Sequence, residues 1–594
     1  MKTFIDPRTG DFESDASSSK NRSMLSLAGS LLAEISLPKL IVAWTVLLGF
    51  PALALGTMPI VASIWVNVVV AKFSSLAYGI IPILLLAGLL AIGWLGVRRA
   101  FRLAERNFWS LNSLAVQPVY AVCRELLNQI ADRLLPLEVE QRRRGRWRSV
   151  TAILAGVMIC LVSVAILVLV WPYTRFAVEF SALGAPIALV KSAFANSIAI
   201  VSGYVAVAVM AWSFADATMP PSLDFRTFNE PSDTSKAWRV AHLSDLHIVG
   251  EQFGFRIESG RSGPQGNGQL VRALEKLDEV AAREPIDAIL VTGDITDAGL
   301  STEWAEFLAI AGSFPRLVQR MLLIPGNHDV NVVNRVNPAQ FDLPTSPFKK
   351  LRKIRALSAL NAIQGDKVHV VDRGKRRLGV TLDQAIAPCL AKLTQFTETG
   401  RPRPHAMLDD LWSNIFPMVM PPQQDDGIGV ILMNSNADTH FSFTNALGMV
   451  SADQFSGVEI ALSQFPKAAF IICIHHHIIE YPRAASTISE RIGTALINGH
   501  WFLRRLQSFG DRIIVMHGHR HVDWLGQCGS FPIVSGPSTV MGETANAPTH
   551  FYMHTLTLGS GPRLQLARPQ AIMVDGVEDG PAPKVDPPHG ILAP

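Results

Sequence analysis

Four stretches without a charged side chain constrain the fold of this chain more than any other feature. About 20 apolar residues suffice for a helix to cross a bilayer, and a core helix of a soluble protein rarely lacks a polar face over such a length. Hydrophobic residues make up 49% of the chain and charged residues 17%, as expected where lipid replaces water as the solvent. The sequence therefore predicts four membrane spans, within Leu40–Ala71, Ser74–Val97, Val150–Tyr173 and Ser192–Ala215.

The segment between the second and third stretches, residues 98–149, carries eleven arginines against five carboxylates. The loops around Lys72 and residues 175–191 carry little positive charge, so the positive-inside rule places residues 98–149 in the cytoplasm. Nucleic-acid binding is the rival interpretation of the arginines, but their position beside two spans favours anionic lipid headgroups. A net charge of +4 gives no general case for nucleic-acid binding, and we expect none that is specific.

The predicted spans divide the chain into five parts. Residues 1–39 form a cytoplasmic N-terminal arm, residues 40–215 the transmembrane region, and residues 216–237 a linker rich in proline and serine. Residues 238–568 alternate short apolar strands with segments of helix length, which is typical of an α/β domain. Residues 569–594 are proline-rich, and we expect a disordered tail. With four spans, the arm and the α/β domain both face the cytoplasm from the inner (plasma) membrane.

Five of the predicted strands in the α/β domain end in side chains that bind metals. A single such cluster is an ordinary polar loop, but five in one domain indicate a dinuclear metal site. Mixed nitrogen and oxygen donors suit Mn, Fe or Zn, and the five scattered cysteines suggest neither a zinc finger nor a disulfide framework. The clusters contain Asp245 and His247, Asp294 and Asp297, Asn327 and His328, His475–His477, and His519 and His521.

The order D-x-H, G-D, G-N-H-D, H and G-H-x-H resembles the calcineurin-like metallophosphoesterase superfamily, over about Trp238 to Arg568. The resemblance implies a four-layer αββα sandwich that holds two divalent or trivalent metal ions. It implies that one ion is bound by Asp245, His247, Asp294 and His521, and the other by Asp294, Asn327, His475 and His519, with Asp294 bridging. His476 remains an alternative to His475, because the two histidines are adjacent.

The same resemblance implies hydrolysis of a phosphoester by a hydroxide that bridges the metals, without a phosphorylated enzyme. His328 is then the residue that stabilises the transition state or protonates the leaving group, and Asp297 is a candidate for orienting its ring. The segments ILMNSNADTH and HRHVDWLG resemble the branch that contains cyclic-nucleotide phosphodiesterases. A phosphodiester is therefore favoured over a phosphomonoester as the substrate.

A long insertion, residues 331–427, precedes the fourth motif and suggests a lid or specificity element. Its basic run KKLRKIRAL, residues 349–357, is either a solvated helix face or a surface that docks on anionic lipid.

Two further functions stay open at this point. Four spans exceed the needs of a simple anchor, which favours a lipid phosphate or lipid pyrophosphate as an alternative substrate. From another class, the chain could be a membrane sensor or scaffold whose phosphoesterase domain is regulatory. The sequence leaves the substrate and the oligomeric state undetermined.

Overall fold

The structure is a computed structural model. It describes residues 3–8, 45, 49–76, 116–134, 141–177, 186–229, 237–250, 266–331, 347–401, 405–436, 446–481, 496–542, 548–559, 561–574 and 580–581. The chain forms two compact units: Glu34–Met219, and Pro220–Pro594 together with Met1–Ala33.

The longer described segments of the unit Glu34–Met219 are helical. Its helices are α1 (Phe50–Leu76), α2 (Gln117–Leu134), α3 (Gln141–Val170) and α4 (Pro186–Ala217). A 3₁₀ turn, Trp171–Tyr173, follows α3. Helices α1, α3 and α4 are long and apolar enough to cross a membrane. They correspond to the first, third and fourth charge-free stretches, whereas the second, Ser74–Val97, lies almost entirely outside the described residues.

Helix α2 is joined to the end of α4 by a polar contact. The Tyr120 hydroxyl donates to Asp216 Oδ2 at 2.8 Å, and Arg124 Nη1 lies 2.7 Å from the same oxygen. Helix α4 ends at Ala217 and so includes Asp216. The linker, which the sequence predicts to begin at residue 216, begins after that helix.

The second unit contains two β-sheets. In spatial order the larger sheet has β1 (Leu223–Asp224), β11 (Trp524–Cys528), β12 (Phe531–Ser535), β10 (Ile513–His517), β9 (Ala469–Cys473), β8 (Ile428–Leu432), β7 (Met418–Met420), β5 (His369–Asp372) and β6 (Arg377–Thr381). The smaller has β16 (Gly580–Pro581), β15 (Gln570–Met573), β13 (His550–Leu558), β2 (Trp238–Leu243), β3 (Ala288–Val291) and β4 (Met321–Leu323), with β14 (Leu564–Leu566) paired to β13.

The strands that precede the five motifs run parallel to one another within each sheet and are almost wholly buried. Strands β2, β3 and β4 are parallel, as are β8, β9, β10 and β12. Continuous apolar runs such as AILV in β3 suit strands covered on both faces. Side chains from both sheets join one hydrophobic core. The loops that follow β2, β3, β4, β9 and β10 carry the five predicted motifs.

Helices connect these strands. They are α5 (Gly268–Arg283), α6 (Ser301–Gly312), α7 (Pro315–Val318), α8 (Asn327–Val330), α9 (Pro347–Gln364), α10 (Leu382–Ile386), α11 (Leu390–Thr399), α12 (His405–Ile415), α13 (Ala452–Gln464) and α14 (Gly499–Leu506). Helix α5 shows why they form: Leu270, Ala273, Leu274 and Leu277 lie on one face and are buried. 3₁₀ turns cover Ala387–Cys389 and Gln507–Arg512.

The sheets extend beyond the boundaries expected from the sequence. Strand β1 lies in the expected linker and pairs with β11. Strands β15 and β16 lie in the expected disordered tail, and β15 pairs with β13 because Ala571 and Ile572 bury their side chains. The insertion 331–427 contributes β5, β6 and β7 to the edge of the larger sheet.

The basic run 349–357 lies on α9 and is buried, which contradicts both interpretations of it. Lys350 and Lys353 place their ammonium groups 3.4 and 3.6 Å from the Asp409 carboxylate. Arg355 is only 2% exposed, and its Nη1 donates to the Gly299 carbonyl at 3.0 Å. These side chains are buried inside the unit, where they face neither solvent nor a lipid surface.

Candidate metal centre

The loops after β2 and β3 run side by side and bring the first two motifs together. The Asp245 amide donates to the Gly293 carbonyl at 3.1 Å, and the His247 amide donates to the Asp294 carbonyl at 2.9 Å. This backbone pairing fixes three predicted ligands before any side-chain contact is considered.

Strained backbone marks the predicted ligands. Among the described residues, six that are not glycine have a positive φ, and five of the six are predicted ligands. Such a conformation costs on the order of 1–3 kcal/mol and persists where other interactions enforce it, often at functional sites. The five are Asp245 (φ 53°), His247 (42°), Asp294 (49°), His519 (77°) and His521 (52°).

One group of donor atoms surrounds the ring of His247. Its Nε2 lies 3.2 Å from His521 Nε2 and 3.9 Å from Asp294 Oδ2. His521 Nε2 lies 3.5 Å from Asp245 Oδ1. Two imidazole nitrogens and two carboxylates that converge in this way form a donor set suited to a transition-metal ion.

A second group surrounds His475 Nε2. That nitrogen lies 3.2 Å from Asp294 Oδ2, 3.1 Å from Asn327 Oδ1 and 3.1 Å from His519 Nδ1. His475 Nδ1 donates to the Thr292 carbonyl at 2.8 Å, which leaves Nε2 as the ligating nitrogen of the neutral ring. The neighbouring His476 turns its Nδ1 to Ser435 Oγ, 2.7 Å away. The structure thus places His475, and not His476, in the group.

Asp294 Oδ2 lies in both groups, which is where a bridging carboxylate would be. Burial alone would raise the pKa of Asp294, but the imidazoles of His475 and His328 outweigh burial and hold that pKa well below its usual value. Burial likewise lowers the pKa of His475, but the carboxylates of Asp294 and Asp245 raise it to about 9. The buried carboxylates around His475 therefore favour a positive charge at this point, and a metal ion would compete with a proton for the His475 ring.

His328 lies beside both groups and is oriented by the backbone. Its Nδ1 donates to the Asp297 carbonyl at 2.7 Å, and its amide donates to Asp294 Oδ1 at 2.8 Å. The Asp297 carboxylate instead approaches His247, with Oδ1 3.3 Å from Nδ1. Asp297 therefore contacts the predicted acid through its main chain and a predicted ligand through its side chain.

Asp329 ties the second and third motifs together, a role that the sequence argument left unassigned. Its carboxylate accepts from the amides of Gly326 at 2.7 Å and Thr296 at 2.8 Å, and from the Thr296 hydroxyl at 2.7 Å. Asn436 is a second such residue, because its Nδ2 donates to the Pro325 carbonyl at 3.0 Å. Asp329 belongs to the G-N-H-D motif and Asn436 to the segment ILMNSNADTH, and this position in a motif is the signal that the sequence offers for them.

Two glycines are required by close approach to the ligands. A Cβ on Gly326 would lie 2.1 Å from Asp294 Oδ1, and one on Gly293 would lie 2.4 Å from His475 Nδ1. Gly293 also has a φ of +101°, where side chains are rarely tolerated.

The residues present fit a pair of metal ions. The seven predicted ligands meet in two adjacent groups that share Asp294. Mixed imidazole, carboxylate and amide donors, without thiolate, are compatible with Mn, Fe or Zn and do not distinguish among them.

Residues 239–523 match the family model of the calcineurin-like phosphoesterases. This part of the chain is a calcineurin-like metallophosphoesterase domain, which confirms the superfamily resemblance for the α/β unit and indicates a hydrolase of phosphoric esters. The more specific likeness to cyclic-nucleotide phosphodiesterases stays a prediction.

Several solved structures resemble the phosphoesterase domain at 12% identity. A dimetal phosphatase from Danio rerio aligns with 57% of this chain and 99% of its own, with a TM-score of 0.34. The calcineurin-like phosphoesterase YfkN from Bacillus subtilis aligns with 58% and 92%, at 0.28. The NAD nucleotidase from Haemophilus influenzae aligns with 57% and 51%, at 0.29. No curated protein matches the chain.

Proposed function

We propose that this protein is a membrane-anchored, metal-dependent phosphoesterase that hydrolyses a phosphodiester in preference to a phosphomonoester. The observation that carries the proposal is the convergence of His475 Nε2, Asn327 Oδ1 and His519 Nδ1 beside Asp294, within 3.1–3.2 Å. A second group beside the same carboxylate supports a two-metal site. The preference for a diester rests on the sequence resemblance alone.

Seven side chains would hold the ions, namely Asp245, His247, Asp294, Asn327, His475, His519 and His521. Two bound cations would neutralise the phosphate charge and lower the pKa of a water molecule. The chain itself supplies the proton on the leaving-group side. Because the Asp297 carbonyl holds the proton on His328 Nδ1, the doubly protonated ring would give its Nε2 proton to the departing oxygen and become neutral.

Three observations support a membrane location with a cytoplasmic catalytic domain. Helices α1, α3 and α4 are long and apolar enough to span a bilayer. They expose large apolar side chains, such as Leu161 (64%), Ile187 (74%) and Val207 (73%). The arginines of residues 98–149 favour the cytoplasmic side for that segment. A lipid phosphate or lipid pyrophosphate is the second candidate substrate, because these helices exceed what a single-span anchor requires.

The test combines metal analysis with a substrate panel on the purified full-length chain. We expect two equivalents of transition metal per chain, with hydrolysis of bis(p-nitrophenyl) phosphate exceeding that of p-nitrophenyl phosphate. Cyclic nucleotides and lipid phosphates in mixed micelles extend the panel and separate the two candidate substrates. A chain that binds two metals yet hydrolyses none of these esters would favour the regulatory scaffold instead.

A further inference from the structure

Residues 3–8, here called the N-terminal strap, pack on the phosphoesterase domain although they are far from it in sequence. Phe4 and Ile5 lie against the hydrophobic core of that domain. The Ile5 amide donates to Ser358 Oγ at 3.2 Å, and the same hydroxyl lies 3.4 Å from the Ile5 carbonyl. The contact joins the N-terminal end of the chain to α9, about 350 residues later.

The strap covers an arginine that supports the catalytic loop. Ile5 and Pro7 line a narrow cavity together with Trp304 of α6 and Arg355 of α9. Arg355 is only 2% exposed. Its Nη1 donates to the Gly299 carbonyl at 3.0 Å, and a water-accessible guanidinium would hold that carbonyl less firmly.

Gly299 lies two residues after Asp297, whose carbonyl accepts the Nδ1 proton of His328 at 2.7 Å. Gly299 has a φ of +68°, and a Cβ there would lie 2.5 Å from the Asp329 carbonyl, so this loop is closely packed against the third motif. The strap and Arg355 thus line one cavity, Arg355 holds the Gly299 carbonyl, and the same loop presents the Asp297 carbonyl to His328.

We propose that the N-terminal strap positions His328, acting through Arg355 and the loop that contains Gly299. It rests on the proposed phosphoesterase function, because His328 is the leaving-group acid only in that reaction. Undocking the strap would let water reach Arg355 and loosen the loop that sets the angle of the His328 ring. A small misplacement of a catalytic group can cost up to about a hundredfold in rate.

Docking also has a consequence for membrane topology. The strap and the phosphoesterase domain belong to the same compact unit, so they must lie on the same side of the membrane.

The kinetic test uses Ile5→Asp, which places a charge where the strap packs against the hydrophobic core. Ile5→Val and Arg8→Ala are the controls. Arg8 is exposed, and its amide donates to Asp6 Oδ1 at 2.9 Å. We expect Ile5→Asp to keep both metals and to lower kcat about tenfold or more for an alkyl phosphoester, with a smaller loss for a nitrophenyl ester. Equal losses on both substrates, or none, would overturn the proposal.

Hydrogen exchange tests the strap without relying on catalysis. In Ile5→Asp we expect faster amide exchange in residues 297–303 and unchanged exchange in β10. Unchanged exchange in residues 297–303 would refute the strap even if the wild-type chain proved to hydrolyse no ester. An inactive wild-type chain with the expected exchange pattern would instead refute only the proposed function.

The topology test uses a maleimide that cannot cross membranes. Arg8→Cys and Arg401→Cys, each in a cysteine-free background, place thiols at exposed positions of the strap and of the phosphoesterase domain. We expect both to react from the same side of sealed vesicles. Reaction from opposite sides would overturn docking of the strap.

Discussion

His328 is oriented by the main chain of Asp297 and not by its side chain. The His328 Nδ1 donates to the Asp297 carbonyl at 2.7 Å, while the Asp297 carboxylate lies 3.3 Å from His247 Nδ1. The orienting role that the sequence predicts for the Asp297 side chain is therefore filled by its backbone carbonyl, while the carboxylate approaches a predicted metal ligand. Substitution of His328 and substitution of Asp297 should therefore have different effects.

Replacing His328 with alanine should slow turnover of an alkyl phosphoester by about a hundredfold or more, the usual size of a general-acid effect. The loss should shrink for a nitrophenyl ester, since that leaving group needs no proton in the transition state. Metal content, measured on the purified variant, should stay at the wild-type level. Loss of metal, or an equal slowing of both esters, would show that another group is the acid.

Asp297→Asn should behave differently, because the carbonyl that orients His328 survives the substitution. The substitution removes the carboxylate that approaches His247 Nδ1, and losing such a partner of a ligating histidine typically costs about 10–100-fold in metal affinity or activity. We expect weaker metal binding in a chelator titration and an unchanged dependence of rate on leaving group. A leaving-group dependence like that of His328→Ala would contradict this division.

The convergence of the candidate ligands could be predicted from sequence because each of them closely follows an apolar strand. Parallel strands deliver their carboxyl ends to one edge, so Asp245, Asp294 and Asn327 had to meet. The choice between His475 and His476 could not be made from sequence, because it depends on the Thr292 carbonyl and the Ser435 hydroxyl. Those partners come from distant strands and leave no local signature.

Asp294→Asn should abolish turnover, since both donor groups lose their shared carboxylate oxygen. An amide lacks the negative charge that offsets two cations, so metal content should fall together with activity. Asp278→Asn is a matched control, because its partly exposed carboxylate pairs with the exposed side chain of Arg316 at 2.9 Å. Two bound metals and wild-type turnover in Asp294→Asn would refute the dinuclear site.

Gly326→Ala should disrupt the centre without removing any ligand. The added Cβ would lie 2.1 Å from Asp294 Oδ1 and 2.2 Å from its amide nitrogen, so Asp294 or the third motif must move. We expect loss of metal and at least about a hundredfold lower turnover. Gly268→Ala is the control, because its Cβ would meet only Arg272 Nη1 at 3.7 Å. Equal activity in both variants would mean that the site tolerates the shift.

The fold was harder to predict at its edges than at its centre. The basic run on α9 looked like a surface, yet Lys350 and Lys353 bury their stems and pair with Asp409 on α12. Strand β15 looked like part of a proline-rich tail, although its pairing with β13 buries Ile572. Both outcomes depend on partners that are brought close only by the tertiary structure, which a local pattern cannot show.

Glu303 gives a prediction about pH and stability. It is the third residue of α6, and its Oε2 accepts from the amides of Ala298 and Leu300 at 2.9 Å each. Burial raises its pKa to about 7 in spite of these hydrogen bonds, from 4.5 for an exposed glutamate. The folded chain therefore holds this proton more tightly than the unfolded chain.

Because the folded-state pKa of Glu303 is the higher one, its contribution to stability is complete below pH 4.5 and is lost as the pH rises through 7. Glu303→Gln keeps an oxygen that can accept from the two amides but cannot ionise. The variant should gain on the wild type by at most about 3 kcal/mol above pH 7, and this gain should vanish near pH 4. Thermal unfolding of the full chain between pH 4 and 8 measures the difference, with Glu306→Gln, an exposed position on the same helix, as the control. A difference between Glu303→Gln and wild type that stays constant with pH would show that the pKa of Glu303 is the same in the folded and the unfolded chain.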